Sequence, residues 1–496
     1  MRTIDGFPLT GEQNIIIDTA LTGQSILVNA RAGASKSVTS GYICKEFKGK
    51  ILYTTFGNKN IRDFNSRFGN YTPFIKSNYG LAHTKIGSHY RNQGRLYDVF
   101  PIERIINLCN LKNIKINGFE FTKSNQAYDI LKIITNFCYS TDEIITLDHM
   151  QSEFMDANEP LTVEYYRHLL PCAVIVWDEM VNRNSDFPIT HDTYMKVWAA
   201  GLWNNGRKPK LNFDAIILDE RQDSNPVFID MIKNQDAQLI VVGDDLQQLY
   251  HWRGCIDAMN MLDIKTHLNL SKSFRFGQTV ADLSSDIIYN HTGNDITING
   301  FEKINTVVHT KPTKFDRYTV LCRTNGACVD HLVAAYFENK SVKFVGDISK
   351  IKKYIKGIVA LRSRGKAYGS LSVFSTYKEL YDYSQTSMGG EIKTLINVMN
   401  RCMKKDIDTN KLIDILDKSA KLRTADITVS TIHKAKGLEF DNVVLGDDLR
   451  GKENEAFEPQ DTNLLYVAVT RAKKNLDISG CKTLMKMIGS ETEPVI

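Results

Sequence analysis

Short apolar runs recur along the chain, and most of them end in small or polar residues. Four such runs, at residues 25–30, 215–218, 239–242 and 427–429, have the length and composition of buried strands. Between them, apolar residues recur with helical periodicity, for example at residues 102–108 and 127–134. Strands that alternate with helices predict an α/β fold, in which parallel strands bring their carboxyl ends to one edge of each sheet.

The first of these strands leads into a loop of small residues, which ends at Lys36 and Ser37 where a helix begins. Backbone N–H groups at a helix N-terminus point outward and bind phosphate, aided by the helix dipole. In such a loop we expect Lys36 to contact the β- and γ-phosphates and the Ser37 hydroxyl to bind Mg²⁺. The predicted nucleotide-binding residues of the loop are Ala32, Gly33, Ala34, Ser35, Lys36 and Ser37.

The loop departs from the usual pattern, G-x-x-x-x-G-K-S/T. Ala30 stands in place of the first glycine and Ser35 in place of the second. Arg31 is also large for a loop whose backbone must approach phosphates closely. The alternative is therefore an ordinary strand-to-helix turn that contains Lys-Ser by chance.

Two adjacent carboxylates, Asp219 and Glu220, follow the strand at residues 215–218. Carboxylates at the end of a buried strand are costly unless a cation or a reaction uses them. We expect Asp219 to hold Mg²⁺ and Glu220 to accept a proton from the attacking water. The alternative is that the pair favours the start of the next helix, but a second acidic turn, Asp244-Asp245, follows the strand at 239–242. Loop and carboxylates together predict a site that binds and hydrolyses a nucleoside triphosphate.

Length, charge and cysteine content limit the remaining classes of protein. A chain of 496 residues is too long for one compact core. Its 62 basic and 57 acidic residues give a net charge of +5, which is compatible with nucleic-acid binding without being evidence for it. No apolar stretch reaches the roughly 18 residues of a membrane span, and the first residues lack an apolar signal core. Nine cysteines without a Cys-x-x-Cys pair indicate free thiols rather than a zinc or iron–sulfur site, so we expect the cytoplasm, or the nucleus in a eukaryote.

Several segments in a fixed order carry a family resemblance. They are the phosphate loop, Asp219-Glu220-Arg221-Gln222-Asp223, residues 243–254, Ser273-Phe274-Arg275-Phe276-Gly277 and Thr470-Arg471-Ala472-Lys473. In this order they resemble the superfamily 1 DNA helicases of the UvrD/Rep type, and most of all the F-box DNA helicase branch, although we see no F-box in this chain. Residues 191–198 and the short stretch between Gly277 and Ala425 support that branch. The resemblance implies two RecA-like parallel-sheet P-loop lobes, each with an inserted accessory domain.

The resemblance implies contacts to the base and the sugar of ATP. Gln13 corresponds to a glutamine that binds the adenine edge, a contact that a side-chain amide can make. Phe274 corresponds to an aromatic residue that stacks on the base, and Glu439 to a contact with the ribose hydroxyl. From the residues alone, the favoured interpretation of Gln13 is an ordinary helix-start glutamine.

The resemblance also implies three residues at the γ-phosphate. Gln247 corresponds to a glutamine that senses this phosphate and orients water. Arg275 and Arg471 correspond to arginines from the second lobe, and a guanidinium suits this role because it stays charged as charge develops on the phosphate. The alternative for Arg471 is a solvated helix surface beside two lysines.

A track for single-stranded DNA follows from the same resemblance. Phe56 and Trp252 would stack on bases, each contact contributing about 1–3 kcal/mol whatever the base. The alternative for Trp252 is a core tryptophan, since this residue is usually well buried. The other candidates for DNA contacts are Asn58, Tyr250, Arg253, Thr431 and His433.

We expect two lobes, each interrupted by an insertion. The first lobe takes residues 1–84 and 206–262, with a mostly helical insertion at 85–205. The second takes residues 263–345 and 425–496, with a small insertion at 346–424. The lysine-rich run at residues 350–356 in that small insertion favours a solvated helix face over a duplex contact.

The resulting hypothesis is an ATP- and Mg²⁺-dependent DNA helicase that moves 3′ to 5′ on single-stranded DNA and unwinds duplex. Only the resemblance implies that direction. We expect a monomer that acts on single-stranded and forked DNA in replication, repair or recombination, without membrane association and with an unidentified recruiting protein. Two alternatives stay open. One is a translocase that displaces bound proteins with little unwinding, and the other is an ATP-binding scaffold without hydrolysis, which the altered phosphate loop favours.

Overall fold

The structure, a computed structural model, describes most of the chain. The described residues are 2–4, 7–72, 74–97, 100–116, 119–150, 160–249, 261–346, 348–367, 371, 374, 376–385, 390–449 and 459–489. The chain divides into two compact units. The first comprises Met1–Ala30 and Ser35–Leu270, and the second comprises Arg31–Ala34 and Ser271–Ile496.

The first unit contains ten strands and ten α-helices among its described residues. The strands are β1 (Thr3–Ile4), β2 (Phe7–Pro8), β3 (Ile26–Ala30), β4 (Ile51–Thr55), β5 (Ile75–Ser77), β6 (Ile114–Ile116), β7 (Phe119–Phe121), β8 (Ala215–Asp219), β9 (Gln238–Gly243) and β10 (Thr266–Leu270). The helices are α1 (Gly11–Leu21), α2 (Lys36–Glu46), α3 (Asn58–Phe68), α4 (Asn78–Ala82), α5 (Ser88–Asn92), α6 (Glu103–Leu108), α7 (Lys123–Tyr139), α8 (Pro160–Val181), α9 (His191–Ala199) and α10 (Pro226–Lys233). A π-helical turn, His83–Gly87, joins α4 to α5.

A six-stranded parallel sheet forms the centre of the first unit, in the order β10-β3-β9-β8-β4-β5. Strands β4 and β8 are buried at every position, as expected for a sheet that is covered on both faces. Because β3, β9 and β8 are neighbours and parallel, the loops after them start at the same edge. This edge is where the predicted phosphate loop and the predicted carboxylates lie.

The helices at residues 85–205 share a core with the sheet. One hydrophobic cluster contains Leu52 and Ile216 from the strands together with Ile130 and Phe137 from α7. A buried pair links α7 to α8, in which the Tyr165 hydroxyl donates to Asp129 at 2.7 Å. The described residues of this segment are therefore mostly helical, and they pack on the sheet.

The second unit has a parallel sheet of its own. Its strands are β11 (Val307–His309), β12 (Tyr318–Cys322), β13 (Val342–Val345), β14 (Ile427–Thr431), β15 (Phe440–Leu445) and β16 (Ala472–Asp477). Its helices are α11 (Gln278–Thr292), α12 (Asn325–Phe337), α13 (Ile348–Arg362), α14 (Tyr377–Ser384), α15 (Gly390–Met403), α16 (Thr409–Lys421), α17 (Ile432–Ala435), α18 (Pro459–Val469) and α19 (Lys482–Met487). The strand order is β11-β16-β15-β12-β14-β13, and a second hydrophobic cluster joins α12–α16 to β12, β13 and β14.

The predicted α/β fold with two parallel sheets is confirmed, and all four predicted strands are present as β3, β8, β9 and β14. The first unit continues to Leu270. The reason is β10, which pairs with β3 in register Thr266 to Ile26 and so completes the first sheet. The predicted domain boundaries, including the end of the first lobe at residue 262, stay predictions. Among the described residues, no helix is both long enough and apolar enough to cross a bilayer.

The half-buried Asp129 residue makes the stability of the protein depend on pH. Burial raises the pKa of Asp129 from 3.8 to about 6, although the hydrogen bond from Tyr165 opposes this. Between these values the folded protein keeps a proton that the unfolded chain has released, so stability falls as pH rises through the window and is constant above it. We expect Asp129→Asn to stabilise the protein by about 1–3 kcal/mol at pH 7 and to have little effect at pH 4.

Thermal unfolding of wild type and Asp129→Asn at pH 4 and pH 7 measures the change in stability. Asp186→Asn is the control, since the Asp186 side chain is 89% exposed. An effect of Asp129→Asn that is the same at pH 4 and pH 7 would contradict the assignment.

Candidate nucleotide site and nucleic-acid interface

Lys36 and Glu220 form a largely buried ion pair at the carboxyl edge of the first sheet. Lys36 is the first residue of α2, and Glu220 directly follows β8. Lys36 Nζ lies 2.9 Å from Glu220 Oε2, and the two side chains are 12% and 19% exposed. The structure therefore joins the predicted phosphate-binding lysine to the predicted catalytic carboxylate.

Three carboxylates surround Lys36. Burial alone would lower the pKa of Lys36, but Glu220, Asp219 and Asp244 together raise it above its ordinary value. Lys36 is therefore charged, and the carboxylates outnumber it. Burial and the charge of Glu220 raise the pKa of Asp219 to about 6. An excess of buried negative charge is an environment that a divalent cation would stabilise.

The residues at this edge fit Mg²⁺. Carboxylate and hydroxyl oxygens are the ligands that this hard cation prefers, and Asp219 and Ser37 supply one of each. Among the described residues, no group of three or more His, Cys, Asp or Glu side chains is arranged to hold a metal ion. That is compatible with Mg²⁺, which usually keeps several waters and takes one or two protein carboxylates.

Gln222 connects the two acidic turns. Its Nε2 donates to Glu220 Oε2 at 2.5 Å, and its Oε1 accepts from the Asp244 N–H at 3.1 Å. Asp244 in turn accepts from Gln247 Nε2 at 2.7 Å. Gln247, the predicted phosphate sensor, is thus linked to Glu220 through two intervening residues, Asp244 and Gln222.

Arg221 holds the ends of three strands together. Its guanidinium donates to Val28 O and Asn29 Oδ1 of β3, at 3.1 and 2.6 Å. It also donates to Asp245 Oδ1, after β9, at 2.5 Å. Arg221 itself follows β8 and is 2% exposed. Sequence reasoning assigned no role to Arg221 or Gln222, although a buried arginine beside two carboxylates signals an internal ion pair.

Two non-glycine residues of the site have a left-handed backbone. Ser35 has φ of 57° and Glu220 has φ of 55°. Such conformations cost on the order of 1–3 kcal/mol and concentrate at functional sites. Ser35 occupies the position where the usual phosphate-loop pattern has glycine, and it adopts the conformation that glycine would supply without strain. The substitution therefore does not prevent the turn into α2.

Asp219 has a donor on each carboxylate oxygen. Oδ1 accepts from the Glu220 N–H at 2.9 Å, and Oδ2 accepts from the Tyr53 hydroxyl at 2.5 Å. Sequence reasoning missed Tyr53. A tyrosine within an apolar strand could have indicated this contact, because a buried tyrosine hydroxyl usually forms a hydrogen bond.

Residues 31–34 group with the second unit and are held there by backbone contacts. The Ala32 N–H donates to the Tyr466 hydroxyl at 3.0 Å, and Gly33 O accepts from the Phe274 N–H at 2.9 Å. Gly33 has φ of +76°, and a Cβ there would lie 2.5 Å from Ser273 Oγ. Both the positive φ and the lack of space for a Cβ therefore require glycine at this position.

The predicted arginines lie in one part of the second unit. Arg275 donates to Glu439 Oε2 at 3.1 Å and to Thr470 O at 3.2 Å. Arg471 is fully buried and donates to Val467 O at 2.8 Å, which excludes the solvated-surface alternative. The structure thus brings together Arg275, Glu439 and the segment that carries Arg471. Their roles at the nucleotide stay predictions.

Gln13 is used inside the fold. Its Oε1 accepts from the Thr10 N–H at 2.9 Å, while its own N–H donates to Thr10 Oγ1 at 3.2 Å, which makes a capping box for α1. Its Nε2 donates to Thr39 Oγ1 at 3.3 Å. This is the helix-start role that the residues alone allowed, and contact with adenine stays a prediction.

The described DNA candidates follow the carboxyl ends of strands. Phe56 comes directly after β4, is half-buried and lies 6.0 Å from the Tyr79 ring, while Asn58 is exposed at the start of α3. In the second unit, Thr431 ends β14 and His433 lies in α17. Three further candidates fall outside the described residues: Tyr250, Trp252 and Arg253.

Comparisons with known families match both parts of the chain. The model of the UvrD/REP helicase N-terminal domain matches residues 9–269, more than half of the chain. The model of the UvrD-like helicase C-terminal domain matches residues 330–483. The predicted resemblance to this type of helicase is confirmed.

Two curated relatives align with almost the whole chain. F-box DNA helicase 1 of Gallus gallus is 27% identical over 518 residues, covering 95% of this chain and 49% of the relative. F-box DNA helicase protein 1 of Schizosaccharomyces pombe is 27% identical over 532 residues, covering 97% of this chain and 58% of the relative. The chain therefore spans about half the length of these relatives.

Removing Lys36 should destabilise the first unit by leaving its carboxylates uncompensated. We expect Lys36→Met to cost about 3–5 kcal/mol at pH 8, as for other buried pairs that lose one partner. The loss should be smaller at pH 5, because Asp219, with its pKa raised to about 6, can then take up a proton.

Urea unfolding without nucleotide at both pH values measures the loss. Lys210→Met is the matched control, because Lys210 pairs with Asp236 while 58% exposed and should contribute only about 0–1 kcal/mol. Equal stability losses for the two variants at pH 8 would contradict the claim that Lys36 compensates the buried carboxylates.

Proposed function

The chain belongs to the UvrD/REP helicase family, and we propose that it is an ATP-dependent DNA helicase that moves 3′ to 5′ on single-stranded DNA and unwinds duplex. The observation that carries the proposal is the pairing of Lys36 with Glu220 beside Asp219. A phosphate-binding lysine, a base and a metal-binding carboxylate are the groups that triphosphate hydrolysis needs. The names of the two relatives, both called DNA helicases, support the choice of nucleic acid.

Glu220 is proposed to accept the proton of the water that attacks the terminal phosphate. Its Oε2 accepts from both Lys36 and Gln222, and these two donors fix its orientation. A carboxylate held in one orientation is suited to general-base catalysis. Gln247, connected to Glu220 through Gln222 and Asp244, is proposed to orient the same water.

Lys36 and the loop before it are proposed to bind the phosphates. Helix α2 begins at Lys36, and the first N–H groups of a helix point outward, where they can bind phosphate. Mg²⁺ held by Ser37 and Asp219 would neutralise phosphate charge. Arg275 and Arg471 are proposed to contact the γ-phosphate, with Phe274 on the base and Glu439 on the ribose.

Single-stranded DNA is proposed to lie across the carboxyl edge of the first sheet. Phe56 offers a half-buried ring directly after β4, and Asn58 lies exposed two residues later. An aromatic platform beside polar groups can bind any base sequence. The proposal also includes the second-unit candidates Thr431 and His433 and the candidates Tyr250, Trp252 and Arg253.

The ATPase assignment is tested with Glu220→Gln, which keeps the shape of the side chain and removes the base. We expect it to lower DNA-stimulated ATP hydrolysis by about 10²–10⁴-fold, and Lys36→Ala to abolish it. Lys210→Ala, at an exposed ion pair, should hydrolyse ATP at the wild-type rate. Turnover near wild type in Glu220→Gln would remove the basis for the proposed mechanism, and wild type that binds ATP without turnover would favour the scaffold alternative.

The DNA assignment is tested with Phe56→Ala on duplexes that carry a single-stranded tail. Wild type should displace the strand from a 3′-tailed duplex and not from a 5′-tailed one. Loss of stacking should weaken single-strand binding by about 1–3 kcal/mol in Phe56→Ala. Phe74→Ala is the control, because Phe74 is 40% exposed and packs on Phe213. Efficient removal of a DNA-bound protein without strand displacement would favour the translocase alternative, and unwinding from the 5′ tail would overturn the direction.

A further inference from the structure

Tyr53 is a buried strand residue whose hydroxyl reaches the predicted metal-binding carboxylate. It is the third residue of β4, the strand that pairs with β8. Its hydroxyl donates to Asp219 Oδ2 at 2.5 Å, while the Glu220 N–H donates to Oδ1 at 2.9 Å. Since each oxygen has its own donor, the Asp219 carboxylate cannot rotate without breaking a hydrogen bond.

The phenol ring is itself held in place. It stacks on Phe64 of α3, with ring centroids 3.5 Å apart and planes 7° from parallel. Tyr53 and Phe64 are 0% and 1% exposed, so no water competes for the hydroxyl. Beside a carboxylate a phenol donates its proton, and the carboxylate keeps lone pairs with which to bind a metal or its water.

We propose that Tyr53 is a positioning residue, which holds the Asp219 carboxylate in the orientation that binds Mg²⁺. The inference rests on the proposed function, in which Asp219 holds the metal. It adds to that function a side chain that touches neither nucleotide nor metal and acts through Asp219. Partners of metal ligands commonly contribute to affinity in this way.

The first unit offers a matched control pair. Tyr165 stacks on Phe121, with centroids 3.8 Å apart and planes 14° from parallel, and its hydroxyl donates to Asp129 at 2.7 Å. This pair has the same chemistry and an equally buried tyrosine, but its carboxylate is more exposed and no predicted site residue belongs to it. Tyr165→Phe therefore measures what the loss of a buried phenol hydroxyl does to the protein in general.

The test measures binding of Mn²⁺, a paramagnetic substitute for Mg²⁺, to the full chain with a non-hydrolysable ATP analogue. Electron paramagnetic resonance gives the dissociation constant of the ion. In Tyr53→Phe, which keeps the ring and its stacking, we expect this constant to rise on the order of 10-fold. Tyr165→Phe should stay within about twofold of wild type, and affinity for the analogue without metal should be unchanged in both.

A double-mutant cycle with Asp219→Asn shows whether Tyr53 acts through Asp219. If it does, Tyr53→Phe adds no further loss of Mn²⁺ affinity in the Asp219→Asn background. The cycle also distinguishes a positioning role from a loss of stability in Tyr53→Phe, because a general destabilisation would weaken Mn²⁺ binding in both backgrounds.

The outcomes separate this inference from the function on which it rests. Unchanged Mn²⁺ affinity in Tyr53→Phe, or equal losses in both backgrounds, overturns the positioning role and leaves the ATP site in place. A wild-type protein that binds no Mn²⁺ with the analogue overturns the proposed site, and the positioning role with it.

Discussion

The burial of Lys36 among carboxylates is the constraint on which the site depends. A charged lysine in the interior needs partners, and Glu220 meets this need at 2.9 Å. Glu220 in turn is bound by Gln222, and Gln222 by the backbone of Asp244. The network is local in space but distant in sequence, and only the parallel order β3-β9-β8 brings its members to one edge. The sheet therefore serves the site by placing three loops side by side.

The parts of the fold and site that are local in sequence could be predicted from it. The run at residues 215–218, which forms most of β8, is apolar throughout. Asp219 and Glu220 follow it, and carboxylates at the end of a buried strand are costly unless they have a partner or a function. Lys36 follows a strand and small residues at the start of α2, which is also a local pattern. In each case the residues that indicate the function lie within a short stretch of sequence.

The parts that depend on distant partners could not be predicted. Strand β10 belongs to the first sheet because it pairs with β3, more than two hundred residues earlier, and no feature of its own sequence names that partner. Tyr53 and Asp219 meet for the same reason, through the pairing of β4 with β8. Arg471 resembled a surface arginine beside lysines, yet backbone carbonyls take up its guanidinium in the interior. Contacts that depend on which strands pair can be identified only from the structure.

The altered phosphate loop is the strongest argument for a scaffold that binds ATP without hydrolysis, and its geometry weakens that argument. Ser35 takes the left-handed conformation that glycine would supply, so the loop retains its turn at the cost of some backbone strain. Binding alone would need Lys36 and the start of α2. It would not need Glu220 held in a strained backbone and oriented by two donors. The orientation of Glu220 is useful to its proposed role as a base, which requires that a proton be removed, and this favours the proposal of hydrolysis over that of passive binding.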